Sequence, residues 1–190
     1  MNYKELFQRL WAIIVSPKKA WREIADESPR KDVMSTFVYP LIALGGLVML
    51  LSALIGDGLE RPTFHSAMMD ICSYCISLFG GFFLASYLFD IVAQKLLQRG
   101  SDMLLANVFV GYAMGVVFLA DMLVVLFPQF FIFEWVLLLY VCYIVWEGCE
   151  IFLAVEENKR VAFMAIVSAI VVFAPTLIGM LFNTLSKLLG

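Results

Sequence analysis

The chain has 190 residues, of which 63% are hydrophobic and 15% are charged, and its mean hydropathy is +0.92. Soluble domains carry about 45–50% apolar and about 25% charged residues, so this composition excludes an ordinary soluble globule, and its hydrophobicity also excludes a disordered chain. The net charge of −3 is small, so nucleic acid is not an expected partner and the positions of the charges carry more information than their sum.

The first predicted elements are two short amphipathic helices. Apolar residues recur at helical spacing from Tyr3 to Ile14, with charged residues on the opposite side. The apolar run at residues 10–15 is too short for the core of a cleavable signal peptide, so we expect it to belong to the mature protein. Ser16 and Pro17 then predict the N-cap and the first position of a second short helix.

Aromatic and basic residues in these helices indicate a location at the membrane surface. Trp11 and Trp21 suit the headgroup region, and Lys18 and Lys19 belong to the largest group of bases in the chain, which suits anionic lipids. We therefore predict that residues 1–32 form cytoplasmic interfacial helices bound to the lipid bilayer. The alternative is that their apolar stripe packs on the cytoplasmic ends of the spanning helices.

Five apolar stretches are long enough to cross a hydrocarbon core about 30 Å thick at about 1.5 Å per residue. They cover residues 33–56, 64–93, 103–127, 131–155 and 161–182. The connections between them are short, which forces antiparallel neighbours. The sequence therefore predicts an all-α fold, in which a polytopic bundle of five transmembrane helices over residues 33–190 follows the amphipathic helices.

The placement of bases predicts the orientation of the bundle. Of the 13 Lys and Arg residues, all but Arg61 and Lys187 lie before the first span or in the connections that contain Lys95 and Lys159. Basic residues concentrate in cytoplasmic loops. We expect a cytoplasmic N-terminus and an extracytoplasmic C-terminus.

Acidic side chains within the spans are the strongest polar signal, because a charge at the bilayer centre costs about 2.5–3.5 kcal/mol even on the lenient scale. By depth these acids form two groups. The outer group consists of Asp70, Asp121 and Glu134, and the cytoplasmic group consists of Asp90, Glu147 and Glu150. No lysine or arginine is embedded at either depth, so we expect acids that are protonated, hydrogen-bonded or bound to a cation. Asp90 is the nearest candidate to share a site with Glu147 and Glu150. Polar packing and a cation or proton pathway are the two alternatives.

Other residues point to packing rather than to chemistry. The four cysteines, including the CxxC pair Cys72 and Cys75, lack the charge compensation that a metal or redox site would need, and no catalytic or cofactor motif is present. We expect no enzyme activity, cofactor or metal. Gly111 and Gly115 form a GxxxG pattern that favours close packing inside the bundle, with a homo-oligomer face as the alternative. Pro40 and Pro175 should kink the first and fifth spans.

Two short motifs carry a family resemblance. The run from Ser16 and Pro17 to Trp21 resembles an "SP…W..I" element, and Gly111 with Tyr112 resembles a Gly-Tyr element, of the YIP family of five-span membrane proteins. Eukaryotic members of that family interact with Rab GTPases in vesicle traffic. The Asp-Leu-Tyr-Gly-Pro element of those members is missing and no proline follows the Gly-Tyr pair, which weakens the expectation of Rab binding.

The resemblance implies a fold more than an activity, and the short region ahead of the first span implies a bacterial member in a cytoplasmic membrane. We expect a non-enzymatic membrane protein that organises membrane or recruits an unidentified protein partner through its N-terminal helices and bundle faces. The alternative is a small transporter or channel that conducts cations or protons through the intramembrane carboxylates.

Overall fold

The structure is a computed structural model that describes residues 3–27, 32–55 and 64–189, and every regular element in these ranges is helical. Two short helices come first, α1 (Tyr3–Val15) and α2 (Pro17–Asp26). The longer helices are α3 (Tyr39–Ile55), α4 (Phe64–Leu97), α5 (Met103–Leu126), α6 (Phe131–Ile151) and α7 (Glu157–Leu189). Single turns lead into two of these, a π turn (Met34–Val38) before α3 and a 3-10 turn (Pro128–Phe130) before α6.

The prediction of a five-span helical bundle is confirmed. Within the described ranges, five helices are long and apolar enough to cross a membrane by length and composition, and they correspond to α3 with its π turn and to α4 through α7. Many large apolar side chains lie on the outer surface of these helices, among them Leu139 and Leu188. A bilayer supplies the apolar surroundings that such side chains require.

The helix ends differ from the predicted spans because apolar length measures the part in lipid and not the whole helix. Helix α4 continues past residue 93 to Leu97, and α7 begins at Glu157, before residue 161. These extensions carry polar residues that are compatible with a helix but not with hydrocarbon. The prediction that the fourth span reaches residue 155 is wrong, because α6 ends at Ile151.

A tight backbone turn explains the early end of α6. The amide of Leu153 donates to the carbonyl of Gly148 at 3.1 Å, and the amide of Val155 donates to that of Cys149 at 2.9 Å. Ala154 takes a left-handed conformation, with φ of 48°, to close this turn. Bonds of this type satisfy the last carbonyls of a helix, so the chain can reverse at once into α7.

Pro40 acts through the turn that precedes it. Proline has no amide hydrogen and its ring collides with the carbonyl four residues earlier, which disfavours a regular α-helical turn there. The chain instead forms the π turn, and the amide of Tyr39 donates to the carbonyl of Met34. Asp32 holds the start of this turn, because its Oδ1 accepts from the Met34 amide at 3.1 Å.

Helix α5 is the centre of the bundle. Buried residues make up 72% of its apolar stretch, against 28–39% for the other four spans. Its small residues admit close neighbours: a Cβ added at Gly111 would lie 3.1 Å from Val33 and Val38, and one added at Gly115 would lie 3.0 Å from Phe37. The GxxxG pattern therefore allows close helix packing inside the bundle, which is the first of the two alternatives that the sequence left open.

Helices α4 and α7 form a long antiparallel pair that also depends on glycine. A Cβ added at Gly81 would lie 2.6 Å from the Cα of Pro175, and one added at Gly80 would lie 2.7 Å from Ile178. The close approach of the two backbones is therefore possible only because these positions lack side chains.

The short N-terminal helices share the core of the spanning helices. One continuous cluster of buried apolar residues includes Leu6, Ile13 and Ile24 together with residues of the five spans. Residues 3–27 therefore pack as part of the bundle and do not form a separate layer. We call the end of the bundle where they dock the inner end, and the opposite end the outer end.

Candidate functional site

Helix α2 docks on the inner end through Trp21. This side chain is 0% exposed, and its indole Nε1 donates to the carbonyl of Ile144 in α6 at 3.0 Å. The prediction that Trp21 lies among lipid headgroups is wrong. An indole that can bury its ring against aromatic neighbours and donate its N–H to a backbone carbonyl gains more inside the bundle than at a wet interface.

The ring of Trp21 sits in a cluster of aromatic side chains. It stacks on Phe109 with ring centroids 4.8 Å apart, and it meets Phe152 at 5.4 Å and the edge of Tyr112 at 6.3 Å. Phe109 in turn stacks on Phe89 at 4.9 Å. The cluster therefore connects α2 to α4, to α5 and to the turn after α6.

The two motifs that carried the family resemblance meet at this cluster through Trp21 and Tyr112. Ser16 is the N-cap of α2, although its side chain makes no capping bond, and Pro17 is the first residue of that helix and is buried. Trp21 contacts Tyr112, and Gly111 beside it makes room for the π turn. Two motifs that lie some 90 residues apart along the chain thus form one packing unit.

Helix α1 presents two adjacent apolar stripes. Leu6, Leu10 and Ile13 are buried in the core. The second stripe stays exposed and consists of Tyr3, Phe7, Trp11 and Val15, with Trp11 68% exposed. We call these four residues the α1 outer stripe. Only part of the apolar surface of α1 is therefore used by the bundle.

Polar contacts hold the α1–α2 hairpin in place. Arg9 pairs with Glu27, and its guanidinium lies 5.9 Å from the centre of the Tyr112 ring. The hydroxyl of Tyr140 in α6 donates to the carbonyl of Ile14 at 2.7 Å. These contacts fix the direction in which the α1 outer stripe faces.

The bases predicted to meet the membrane lie on the exposed side of α2. Lys18 and Lys19 are both exposed, and the ammonium of Lys19 lies 3.7 Å from Glu23. That pair is fully on the surface, so it contributes little to stability and leaves the helix free to present its charges.

Asp90 closes the connection between α4 and α5. Its carboxylate accepts hydrogen bonds from the side chain of Gln94 at 2.7 Å, from the hydroxyl of Ser101 at 2.8 Å and from the amide of Asp102 at 2.9 Å. Asp102 then caps α5 by accepting from the Leu105 amide at 2.9 Å. Asp90 is thus committed to this connection.

The expected site shared by Asp90, Glu147 and Glu150 does not form. Glu150 pairs with the guanidinium of Arg160 in α7 at 2.9 Å, so the expectation of acids without an embedded base is wrong at this end. Arg160 comes from a connecting segment that continues as helix, which places it beside α6. Glu147 is 9% exposed, and its Oε2 has no hydrogen-bond partner among the described residues.

The outer acids lie at a cavity. Asp70 of α4 and Asp121 of α5 line a space of about 710 Å³ that reaches all five spans. The hydroxyl of Ser73 donates to Oδ1 of Asn183 at 2.9 Å in the same wall. Glu134 was predicted with this group, but its side chain lies outside the described part of the structure. The described residues contain no cluster of His, Cys, Asp and Glu that could hold a metal ion.

Several residues of the inner end were not singled out from the sequence. Gly148 allows Phe109 and Trp21 to cross α6, because an added Cβ would lie 2.6 Å and 2.8 Å from their rings. In the sequence, Phe109 and Tyr140 do not differ from other aromatic residues of the spans. Arg9 counted only as one of many bases. Gly148, an isolated glycine within an apolar helix, was the one sequence signal that could have indicated this close contact.

Comparison with known proteins agrees with this architecture. The family model described as the Yip1 domain matches residues 11–183, which span all but the two ends of the chain and include every residue of the aromatic cluster. No curated protein matches the sequence, and no solved structure does. With five membrane-spanning helices and a match of this extent, the chain is a multi-pass membrane protein that belongs to the Yip1 family.

Proposed function

We propose that this protein is a non-enzymatic component of a bacterial cytoplasmic membrane that organises the bilayer or recruits a protein partner through its N-terminal helices. The proposal rests on the α1 outer stripe, Tyr3, Phe7, Trp11 and Val15, which is exposed although the adjacent stripe of the same helix is buried. A helix held to a membrane bundle with an apolar stripe exposed has lipid or a protein partner as its natural neighbour.

Lipid contact accounts for the stripe together with its charges. Lys4, Lys18 and Lys19 are exposed on the same hairpin, and bases near a membrane surface attract anionic lipids by about 1 kcal/mol each. The tryptophan and tyrosine of the stripe suit the headgroup region. The polar exposed side of α2, which includes Arg22, is then available to a cytoplasmic protein.

Site-directed fluorescence tests the lipid contact in the full-length protein. An environment-sensitive dye is attached to a single cysteine at position 11 in a cysteine-free background, and the protein is reconstituted in bilayers with and without anionic lipid. We expect a blue-shifted emission that is stronger with anionic lipid. A dye at position 22, on the polar side of α2, is the matched control and should report water in both bilayers. Identical spectra at the two positions would contradict lipid contact and leave a protein partner as the occupant of the stripe.

Crosslinking tests the partner. A photoreactive side chain in place of Arg22 should capture a reproducible cytoplasmic protein, whereas one in place of Leu139, which faces outward from α6, should capture lipid. Capture of the same material at both positions would argue against recruitment through α2.

The proposed orientation has its own test. In intact cells, a single cysteine at position 60 should react with an impermeant reagent, and one at Asn158 should be protected, because most bases lie on the side of Asn158. The opposite labelling pattern would invert the protein and place the α1–α2 hairpin outside.

The alternative function, a cation or proton transporter, has one observation in its favour, the cavity that Asp70 and Asp121 share. One observation weighs against a continuous path: one helical turn inward of the lining residues Leu78 and Val117, the side chains of Phe82 and Met114 are completely buried. Ion flux in liposomes that contain only this protein would support the transporter, and tight liposomes would support the recruiting role.

A further inference from the structure

The outer cavity has the size and polarity of a binding site for a small amphiphile. Its volume of about 710 Å³ falls within the range of ligand pockets, about 300–1,000 Å³. Its walls come from all five spans, so the cavity is a feature of the whole bundle and not of one helix pair. The N-terminal helices, which carry the proposed function, dock at the opposite end.

The walls change from polar to apolar with depth. Asp70 and Asn183 lie at the outer ends of α4 and α7, and Asp121 lies near the outer end of α5. The residues farther inward along the same helices include Val117 and Val172. A ligand that is polar at one end and apolar at the other matches this order.

The cavity reaches the surface of the bundle beside α6 and α7. Trp135, Phe173 and Met180 line the cavity and are also more than half exposed. These side chains would face lipid in a membrane, so a hydrocarbon chain could enter from the bilayer without crossing water. A strictly water-soluble ligand has no need of such an opening.

The charge of the lining selects the headgroup. Asp70 and Asp121 are acidic, and no lysine or arginine is found among the described lining residues. A phosphate or carboxylate headgroup would meet repulsion there, whereas a protonated amine could donate to the carboxylates and to the side chain of Asn183. We propose that this cavity binds an amphiphile whose headgroup is a protonated amine without an accompanying anion and whose hydrocarbon chain lies along Val117 and Val172.

Native mass spectrometry of the full-length protein in a maltoside detergent tests the proposal with three probes. Dodecylamine carries the proposed amine and chain, dodecanoate carries the same kind of chain with an anion, and methylamine carries the amine without the chain. We expect dodecylamine to bind about tenfold more tightly than either of the other two, because a charge-assisted hydrogen bond and apolar burial act together only in that probe.

Variants assign the binding to the cavity. Asp70→Asn combined with Asp121→Asn should weaken dodecylamine about tenfold and remove the preference over dodecanoate. Glu156→Gln combined with Glu157→Gln removes the same charge at the inner end and should change nothing. Leu138→Trp, which fills the apolar wall without altering charge, should weaken both long-chain probes. Asp70→Asn alone, at an exposed side chain, keeps the test valid if the double variant fails to fold.

Three results would overturn the proposal. Equal binding of dodecylamine and dodecanoate would show a hydrophobic surface without headgroup selection. Equal binding of methylamine and dodecylamine would show a simple cation site, which favours the transporter. Binding that is unchanged in both the aspartate and the Leu138→Trp variants would place the probe elsewhere. None of these results bears on recruitment through the α1–α2 hairpin, so the two proposals fail independently.

Discussion

The inner and outer ends of this bundle are built from the same five spans and differ in what lies between them. At the inner end, Trp21 enters from α2 and stacks on Phe109, so the space between α5 and α6 is filled. At the outer end, the described residues supply no comparable insertion, and a cavity of about 710 Å³ lies between the helices. An element outside the spans therefore takes part in the packing of the inner end.

The acids of the two ends also differ in what surrounds their carboxylates. Asp90 and Glu150 at the inner end have protein donors, three for Asp90 and the guanidinium of Arg160 for Glu150. Asp70 and Asp121 at the outer end line open space. Asp90 and Glu150 therefore stabilise connections at the inner end, whereas Asp70 and Asp121 line the space that a ligand would occupy.

The largest expected effect is at Trp21. We expect Trp21→Ala to lower the free energy of unfolding by about 3–5 kcal/mol, because it leaves a cavity among Phe109, Tyr112 and Phe152 and removes the indole hydrogen bond to the Ile144 carbonyl. Trp11→Ala, at a side chain that is 68% exposed, is the matched control and should stay within about 0.5 kcal/mol. Denaturant titration in mixed micelles measures both. Equal losses would mean that the inner end is not anchored by α2.

The glycines should distinguish a rigid contact from one that can adjust. Gly81→Ala places a methyl 2.6 Å from the Pro175 backbone, whereas Gly148→Ala meets the rings of Phe109 and Trp21. Both should destabilise by about 1–3 kcal/mol, and Gly81→Ala more, since rings can shift and a helix backbone cannot. Gly100→Ala has no atom within 4 Å of the added methyl and serves as the control in the same thermal unfolding assay. The reverse order would show the aromatic cluster to be the stiffer contact.

An aspartate substitution at each end compares the two groups of acids. Asp90→Ala should cost about 2 kcal/mol, because the Asp102 amide and two side-chain donors lose their acceptor, and Asp90→Asn should cost less because an amide oxygen can still accept. Asp70→Ala should cost about 0.5 kcal/mol or less. The measurement is the unfolding midpoint at neutral pH. A large loss for Asp70→Ala would show that the outer acids also hold the fold.

The smallest effect concerns the turn after α6. Ala154→Gly should stabilise the protein by about 0.5 kcal/mol. Glycine adopts a φ of 48° without the conformational cost of about 1 kcal/mol that alanine carries, and the greater entropy of glycine in the unfolded chain offsets part of this gain. Ala162→Gly within α7 should instead destabilise by up to about 1 kcal/mol. Equal signs in calorimetry would contradict a strained turn at the inner end.

The sequence by itself determined the class of fold and the number of spans. Apolar stretches of sufficient length can be satisfied only in a bilayer, and a bilayer permits few backbone arrangements, so each of the five predicted stretches corresponds to a spanning helix. The same pattern argument placed Pro17 at the start of α2, because proline lacks the amide hydrogen that this position does not use.

Only the tertiary structure decided what each amphipathic or polar residue faces. Trp21 and Trp11 look alike in the sequence, yet one is buried and the other exposed, because the space between α5 and α6 depends on residues far along the chain such as Phe109 and Gly148. Intramembrane acids that look alike in the sequence likewise separate into those that bond to Arg160 or to the start of α5 at the inner end and those that line the cavity at the outer end. Periodicity records which face of a helix is apolar, and the identity of the surface against it is a long-range property that no local pattern contains.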